Sequence, residues 1–458
     1  MILSKEIKSE IKETLSSSSI HSFPNIVQNK YNSIRLVWVV CLILSTAACC
    51  FFIVSSIIEY FSYDVVSKTN INYLNKIDFP IISICDLNAF NTKYANDVIT
   101  QAMNQAFNFS NFNYSFSATL NKYNLIAFKY FAYMIAKNLN ETSRKNLGTS
   151  LDHRIFTCLF NVVECNLTND FEYYYDFLYG NCFRYNSGTN MNGERSQVKQ
   201  ISTTGILNGL QLELFVDAIN NNDNIFSIDH GLNLFIENKK IESFSSEGIR
   251  ISPGSMTHIS LSKYSISHLP SPYSSCTANL DRIESSNNIY FRKILQLNKS
   301  YEEPICRFNC FQKYLGDKCQ CQDPNSIPFY DNMKYCLNVK DFNCQVQTFT
   351  NFSNLGLFED CECPIRCSSD YYTYTVSYSQ YPTKYYAKFL SKDSKLRSKY
   401  NFSTTFDYDE YRSKIAAVNI FFDELKESVI EHNPKLSEVE LISNIGGTLG
   451  MEGFFHFD

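Results

Sequence analysis

The feature that most constrains this chain is a run of ten cysteines from Cys276 to Cys367, out of seventeen in the whole sequence. Their spacings read almost symmetrically from both ends, which predicts nested disulfides that join two antiparallel segments into a stiff rod. The spacing does not select one pairing, because ten cysteines allow many connectivities, so the nesting is a hypothesis. Its five pairs are Cys276–Cys367, Cys306–Cys363, Cys310–Cys361, Cys319–Cys344 and Cys321–Cys336.

A zinc site is the alternative for the short spacings Cys319-x-Cys321 and Cys361-x-Cys363. Neither pair is followed by a histidine at metal-ligand spacing, and clusters of zinc-bound thiolates usually belong to reducing compartments. We therefore expect disulfides, with no metal and no cofactor.

Residues 36–58 form an uncharged, mostly apolar run of twenty-three residues. This is enough to cross a hydrocarbon layer of roughly 30 Å as a helix, so we predict a transmembrane helix. A cleaved signal peptide is the alternative, but the run is too long, starts too late and lacks a small-residue cleavage site. Lys30 and Arg35 precede the run whereas Glu59 and Asp64 follow it, so we expect residues 1–35 in the cytoplasm and residues 59–440 outside the plasma membrane.

Two further patterns agree with this orientation. Three cysteines lie inside the apolar run, which leaves fourteen beyond it, an even number that suits disulfides in an oxidising compartment. Glycosylation sequons of the form Asn-x-Ser/Thr also lie beyond the run, which predicts glycosylated surface loops. The seven acceptors are Asn108, Asn113, Asn140, Asn166, Asn298, Asn351 and Asn401.

Composition narrows the fold and function classes. The net charge of −5 comes with scattered Lys and Arg, so there is no basic groove for nucleic acid. Thirty-one Tyr and thirty-seven Phe against one Trp favour a strand-rich external domain. Hydrolase, phosphate-loop, zinc-protease and dinucleotide motifs are missing from the sequence, so we do not expect an enzyme. Strands are predicted at residues 79–85, 207–215, 232–236, 371–378 and 415–422. Residues 249–261 also have a strand pattern, with a turn at Pro253-Gly254, and residues 91–140 have apolar residues at helical spacing.

Short motifs then follow one another along most of the chain in an order that resembles the degenerin/epithelial sodium channel superfamily, with its acid-sensing and peptide-gated members. The match includes the cysteine series, and Asn444 to Gly450 is similar to the lead-in to the second membrane helix of that superfamily. Other matching pieces include Phe79-Pro80, Cys85-x-Leu87-Asn88-x-Phe90, Gly180-Asn181-Cys182-Phe183, Asn186-Ser187-Gly188, Leu269-Pro270-x-Pro272-Tyr273 and Tyr381-Pro382.

The resemblance implies an α+β membrane protein, with a β-sheet palm, a helical finger at about residues 90–175 and a helical thumb at about residues 276–367. It implies a sodium-selective channel, a homo- or heterotrimer in a lipid bilayer, opened by a peptide or another ligand or by protons. It also implies two more disulfides, Cys85–Cys182 and Cys158–Cys165.

The resemblance further implies gating roles for His21, and for Tyr60 and Tyr273, whose side chains are expected to touch. Gly446, Gly447 and Gly450 would lead into the pore helix. Ser22 stands where the superfamily has a glycine after the histidine, which puts a gating role for His21 in doubt.

The chain as given ends soon after this lead-in, within residues 441–458. Its last eight residues span about 12 Å as a helix, so a second membrane crossing is not expected and the chain is expected to be truncated before the pore helix. The alternative function is therefore a non-conducting, single-pass binding ectodomain or regulatory subunit. The external histidines are dispersed along the sequence and are expected to be ordinary surface residues; they are His153, His230, His258, His268, His432 and His456.

Overall fold

The computed structural model describes residues 3–17, 22–107, 122–216, 230–238, 248–297, 299–324, 326–337 and 339–454. The fold is mixed α+β and divides into two units. We call Met1–Lys68, His268–Ser275 and Glu431–Asp458 the helical unit, and Thr69–Ser267 with Cys276–Ile430 the large unit.

The helices are α1 Leu3–Ser16, α2 Ser22–Gln28, α3 Asn32–Phe61, α4 Lys93–Phe107, α5 Lys122–Asn138, α6 Glu141–Lys145, α7 Leu151–Arg154, α8 Leu167–Asp170, α9 Ile289–Gln296, α10 Glu303–Cys319, α11 Val339–Asn354, α12 Lys384–Leu390, α13 Ser394–Lys399, α14 Tyr408–Lys414 and α15 Glu438–Phe454. The strands are β1 Val65–Tyr73, β2 Ile77–Asp78, β3 Ile81–Asp86, β4 Ile155–Phe160, β5 Val163–Glu164, β6 Phe171–Asp176, β7 Gly180–Tyr185, β8 Gln200–Ile201, β9 Gly209–Phe215, β10 Leu232–Glu237, β11 Ile249–Ile251, β12 Ser255–Ser267, β13 Cys276–Thr277, β14 Ile365–Arg366, β15 Ser368–Gln380 and β16 Ile415–Pro434.

Helix α3 dominates the helical unit. It has 30 residues and is, among the residues that the structure describes, the one helix long and apolar enough to cross a membrane. It extends beyond the predicted residues 36–58 at both ends, because the polar residues on either side continue the helical turns. Helices α2 and α15 both pack against α3.

Two sheets form the centre of the large unit. The first has the order β15-β12-β16-β9-β4-β5, with β1 also paired to β16, and the second has the order β11-β10-β3-β7-β6. In the first sheet β12 and β15 pair antiparallel, from Ser255 opposite Gln380 to Ser267 opposite Ser368. In the second sheet Cys85 on β3 lies directly opposite Cys182 on β7.

The main core lies between the two sheets. Leu210, Leu212 and Leu214 alternate along β9 and are buried together with Ile82 and Ile84 of β3. The alternation buries every second side chain of β9 because successive side chains in a strand point to opposite faces. Residues 81–85 of strand β3 are all buried, and four of these five residues are apolar, because both faces of the strand are covered.

Helices cover the outer parts of the large unit in two smaller cores. Phe131, Ala132 and Ala136 of α5 pack with Phe342 of α11 in one of them. In the other, Phe215 of β9 packs with side chains from the α12–α14 region, including Tyr400, Phe402 and Tyr411. Ring contacts are frequent here; for example, Phe402 and Tyr411 stack with their centroids 4.1 Å apart.

The cysteine-rich segment folds around α10 and α11 and is closed at its base by the parallel pair β13 and β14. Its five disulfides are the pairs of the nested hypothesis, Cys276–Cys367, Cys306–Cys363, Cys310–Cys361, Cys319–Cys344 and Cys321–Cys336. Two more disulfides are present: Cys85–Cys182 joins β3 to β7, and Cys158–Cys165 joins β4 to the residue that follows β5. Cys41, Cys49 and Cys50 in α3 are not disulfide-bonded.

Candidate functional site

An aromatic cluster forms in the helical unit where α3 ends. The chain turns at Tyr63, whose φ is +53°. The Tyr63 ring packs edge-to-face on Tyr273, with centroids 5.5 Å apart, and lies 6.3 Å from the Tyr60 ring. The ring that packs on Tyr273 is thus Tyr63, and the predicted partner Tyr60 lies close enough to both tyrosines to interact with them electrostatically. Tyr63 reaches Tyr273 because its left-handed backbone conformation turns the chain away from the axis of α3. Patterns of apolar residues in the sequence do not show such a turn.

Tyr273 is held by a compact turn in the segment His268–Ser275. The Tyr273 backbone N–H donates to the Pro270 carbonyl at 3.1 Å, and the Ser274 hydroxyl donates to the Leu269 carbonyl at 2.6 Å. These bonds fix the ring of Tyr273 on a short piece of chain that begins directly after β12.

Lys435 ties the strand that enters α15 to the end of α3. Its Nζ lies 3.1 Å from Glu59 Oε1 and 3.5 Å from Asp64 Oδ2, and its backbone N–H donates to the Asp64 carbonyl at 2.9 Å. The hydrogen bond to Glu59, followed by the charges of Glu59 and Asp64, raises the pKa of Lys435. The two acidic residues that follow the apolar run, Glu59 and Asp64, thus bind the ammonium group of Lys435.

Helix α15 begins with a capping box. The Glu440 backbone N–H donates to Ser437 Oγ at 3.3 Å, while the Ser437 backbone N–H and hydroxyl both donate to Glu440 Oε2 at 2.8 Å. Gly446, Gly447 and Gly450 lie in the middle of this helix, and a Cβ added to any of them would meet nothing within 4 Å among the described residues, apart from the backbone of the helix itself. Contacts within one chain therefore do not require glycine at these positions.

His268 and His432 meet in the same unit. Their Nδ1 atoms are 3.2 Å apart, and their ring planes are perpendicular with centroids 4.5 Å apart. Partial burial, and then the neighbouring His432, lower the pKa of His268. The sequence suggested that these histidines were dispersed; they meet because β12, which ends one residue before His268, neighbours β16, which contains His432.

The remaining predicted positions lie elsewhere. His21, Asn108, Asn113 and Asn298 lie outside the described residues. The other four sequon asparagines are exposed, and Asn140 and Asn166 also cap helices through Oδ1, which is not the atom that carries a glycan. Three acidic residues of the rod each have a separate partner: Glu303 contacts Arg307, Asp317 contacts Tyr330, and Asp323 contacts Gln345. No group of three or more metal-ligating side chains occurs in the described part of the chain.

Buried charges in the large unit are the second electrostatic feature. Glu237 on β10 accepts from the Ser83 hydroxyl at 3.1 Å and is only 4% exposed. Burial raises its pKa to about 7, against the opposing charge of Arg184. Arg154 contacts Asp86 and donates to the Phe215 carbonyl at 2.5 Å, while burial raises the pKa of Asp86 in spite of that arginine.

Comparison with known proteins identifies relatives over two thirds or more of the chain. The family model described as "Amiloride-sensitive sodium channel" matches residues 14–452. The human bile acid-sensitive ion channel is 23% identical over 95% of this chain and 81% of its own length. The mouse epithelial sodium channel subunit alpha is 28% identical over 68% of this chain, and the gamma subunit from Pelodiscus sinensis is 30% identical over 67%. The chain matches only 42% and 43% of the lengths of these two subunits.

A cryo-EM structure of a proton-activated chloride channel aligns with 92% of this chain and 95% of that chain, at 6% identity and a TM-score of 0.34. A score this low does not establish a shared fold. The family model, by contrast, covers nearly the whole sequence. The chain therefore belongs to the degenerin/epithelial sodium channel superfamily, whose members are ion channels and not enzymes.

Proposed function

We propose that this chain is a subunit of a sodium-selective channel that opens in response to an extracellular ligand or to protons. In this proposal α3 crosses the plasma membrane, with residues 1–35 in the cytoplasm and residues 59–440 outside, glycosylated at the exposed sequons. Residues 441–458 lead towards the pore. The finger is at about residues 90–175 and the thumb at about residues 276–367. The family membership supports this assignment, and the geometry of the helical unit supplies a mechanism.

The observation that carries the mechanism is the junction at the end of α3. Tyr63 contacts Tyr273 through the aromatic rings, and Lys435 holds Glu59 and Asp64. Three separate pieces of chain meet here: the end of the membrane helix, the segment that holds Tyr273, and the strand that enters α15. A displacement of one piece therefore moves the other two.

The disulfide rod can deliver such a displacement. Cys276, its first cysteine, directly follows Ser275 in the sequence, so the rod is joined covalently to the segment that holds Tyr273. Five nested disulfides restrict bending within the rod, and a cross-linked element of this kind moves as a rigid body. A stimulus bound by the external domain would reach the membrane helix along this path.

The contacts at the junction are weak enough to be broken during gating. An edge-to-face aromatic pair contributes roughly 0.5–1.5 kcal/mol, and an exposed ion pair roughly 0–1 kcal/mol. A two-state equilibrium with a gap of a few kcal/mol responds measurably to changes of this size. The junction therefore biases the closed–open equilibrium without locking it.

Assembly as a homo- or heterotrimer completes the proposal. Gly446 and Gly450 are four residues apart on one face of α15, a spacing that allows close helix approach in membranes. The open space at these glycines accommodates a neighbouring subunit.

Voltage clamp of cells that express the chain, alone and together with epithelial sodium channel subunits, tests the proposal. The stimuli are protons, short amidated peptides and bile acids, the last because a relative is bile acid-sensitive. We expect at least one stimulus to evoke an inward current that depends on this chain. Surface labelling that detects the chain, combined with no added current under any stimulus or partner, would contradict the proposal and favour a non-conducting binding ectodomain.

A further inference from the structure

The two histidines of the helical unit have the geometry of metal ligands. His268 Nδ1 and His432 Nδ1 are 3.2 Å apart, and both side chains are half-buried. Zinc binds imidazole nitrogen at about 2.0–2.1 Å, so two such bonds with this separation enclose an angle of about 100°. Because that angle is close to tetrahedral, an ion fits between the rings with little rearrangement.

We propose that His268 and His432 form a binding site for a divalent transition metal of the Zn²⁺ or Ni²⁺ type. In the metal-free protein the two Nδ1 atoms share one hydrogen bond, whose donor depends on the tautomer. In the metal-bound protein both rings carry their proton on Nε2, so both Nδ1 lone pairs point at the ion. No proton is lost from the neutral pair.

Among the residues that the structure describes, no third His, Cys, Asp or Glu joins the pair, so water completes the coordination. Glu431 precedes His432 in strand β16, and successive strand residues point to opposite faces, which places its carboxylate away from the pair. Lys435, the nearest cation along the chain, is held by Glu59 and Asp64.

A bound ion would connect two pieces of chain at the junction. His268 begins the segment that holds Tyr273, and His432 lies shortly before the start of α15. The ion would thus hold the two pieces together. Metal binding itself does not depend on conduction, so a binding measurement separates this proposal from the proposed channel function.

The test is a Zn²⁺ titration of the full chain, purified in detergent without a histidine tag, by isothermal titration calorimetry. We expect one site in the wild-type protein and at least a tenfold loss of affinity in both His268→Ala and His432→Ala, with the double variant no weaker than either single one. His258→Ala is the matched control, because His258 lies on β12 but its Nδ1 is 3.3 Å from Asn419. Its affinity should equal that of the wild type.

X-ray absorption of the zinc-loaded wild type provides a readout that needs no variant. Two imidazole ligands per zinc are expected. A wild type without a site, a spectrum with fewer than two imidazoles, or equal affinity in the His268→Ala and wild-type proteins would overturn the proposal. Size-exclusion profiles and non-reducing gels confirm that the variants are folded.

Discussion

Removal of one nested disulfide should cost less than the length of its own loop suggests. The Cys310–Cys361 bridge closes a loop with a separation of 51 residues, which by itself would constrain the unfolded chain by about 4 kcal/mol. The neighbouring bridge Cys306–Cys363 already brings the two segments together. With that bridge present, Cys310–Cys361 closes a ring of only roughly eight residues. The entropy that this smaller ring removes from the unfolded chain stabilises the folded state by about 2.5 kcal/mol.

The outermost bridge provides a matched comparison. Cys276–Cys367 closes a ring of roughly 35 residues when Cys306–Cys363 is intact, so its removal should cost about 3.8 kcal/mol. All four cysteines are buried, so the loss of packing is similar for either pair. We therefore predict that the double variant Cys310→Ala/Cys361→Ala is more stable than Cys276→Ala/Cys367→Ala by about 1.3 kcal/mol.

Thermal unfolding of the full chain in detergent measures the difference. The large unit has roughly 350 residues and an unfolding entropy of about 0.7 kcal/mol/K, so we expect melting temperatures lowered by about 3–4 °C and about 5 °C, respectively. The single variant Cys310→Ser should fare worse than its double counterpart, because it leaves a thiol at buried Cys361 that can mispair. An equal or larger cost for the inner pair would refute the reasoning that the bridges act as nested rungs.

Three further predictions concern single side chains. Tyr63→Ala should shift the half-activating stimulus concentration by roughly twofold to tenfold, because the ring contact contributes roughly 0.5–1.5 kcal/mol, while the exposed Tyr385→Ala should not shift it. Burial raises the pKa of Glu237 to about 7, so the folded state binds more protons than the unfolded state between about pH 4.5 and 7. The free energy of unfolding of the wild type should therefore fall by on the order of 3 kcal/mol as the pH rises through this range. Glu237→Gln should remove this fall when unfolding is measured as a function of pH. Arg154→Ala should lower the free energy of unfolding by about 3–5 kcal/mol, because it leaves Asp86 charged and buried. The added change Asp86→Leu should restore part of this free energy. Equal stability of the single and double variants would contradict the prediction.

Local patterns allowed much of the fold to be predicted. The alternation of Leu210, Leu212 and Leu214 predicted strand β9, and the predicted strands at residues 232–236 and 371–378 are confirmed by β10 and β15. Strand β9 is recognisable because apolar and polar residues alternate along it, and strand β10 because most of its residues are buried. Strand β16 runs to Pro434, twelve residues beyond the predicted end, because its later, charged part is ordered by neighbouring strands rather than by its own apolar pattern.

The candidate site could be predicted only in part. Tyr273 was found through its position in a family motif. Its ring contact with Tyr63 depends on the left-handed backbone turn at Tyr63, which a periodic pattern of apolar residues does not predict. The pairing of His268 with His432 depends on β12 lying next to β16, a contact between residues far apart in the sequence. The charges of Glu59 and Asp64 were used to orient the membrane helix, but their common partner Lys435 required the structure.

The most direct test of the central claim is the reversal potential of the stimulus-evoked current when external Na⁺ is replaced by K⁺. The account predicts a reversal potential that moves strongly towards negative values, because a sodium-selective pore passes little K⁺. An unchanged reversal potential would contradict sodium selectivity, and a potential that follows chloride instead would contradict the assignment as a cation channel subunit.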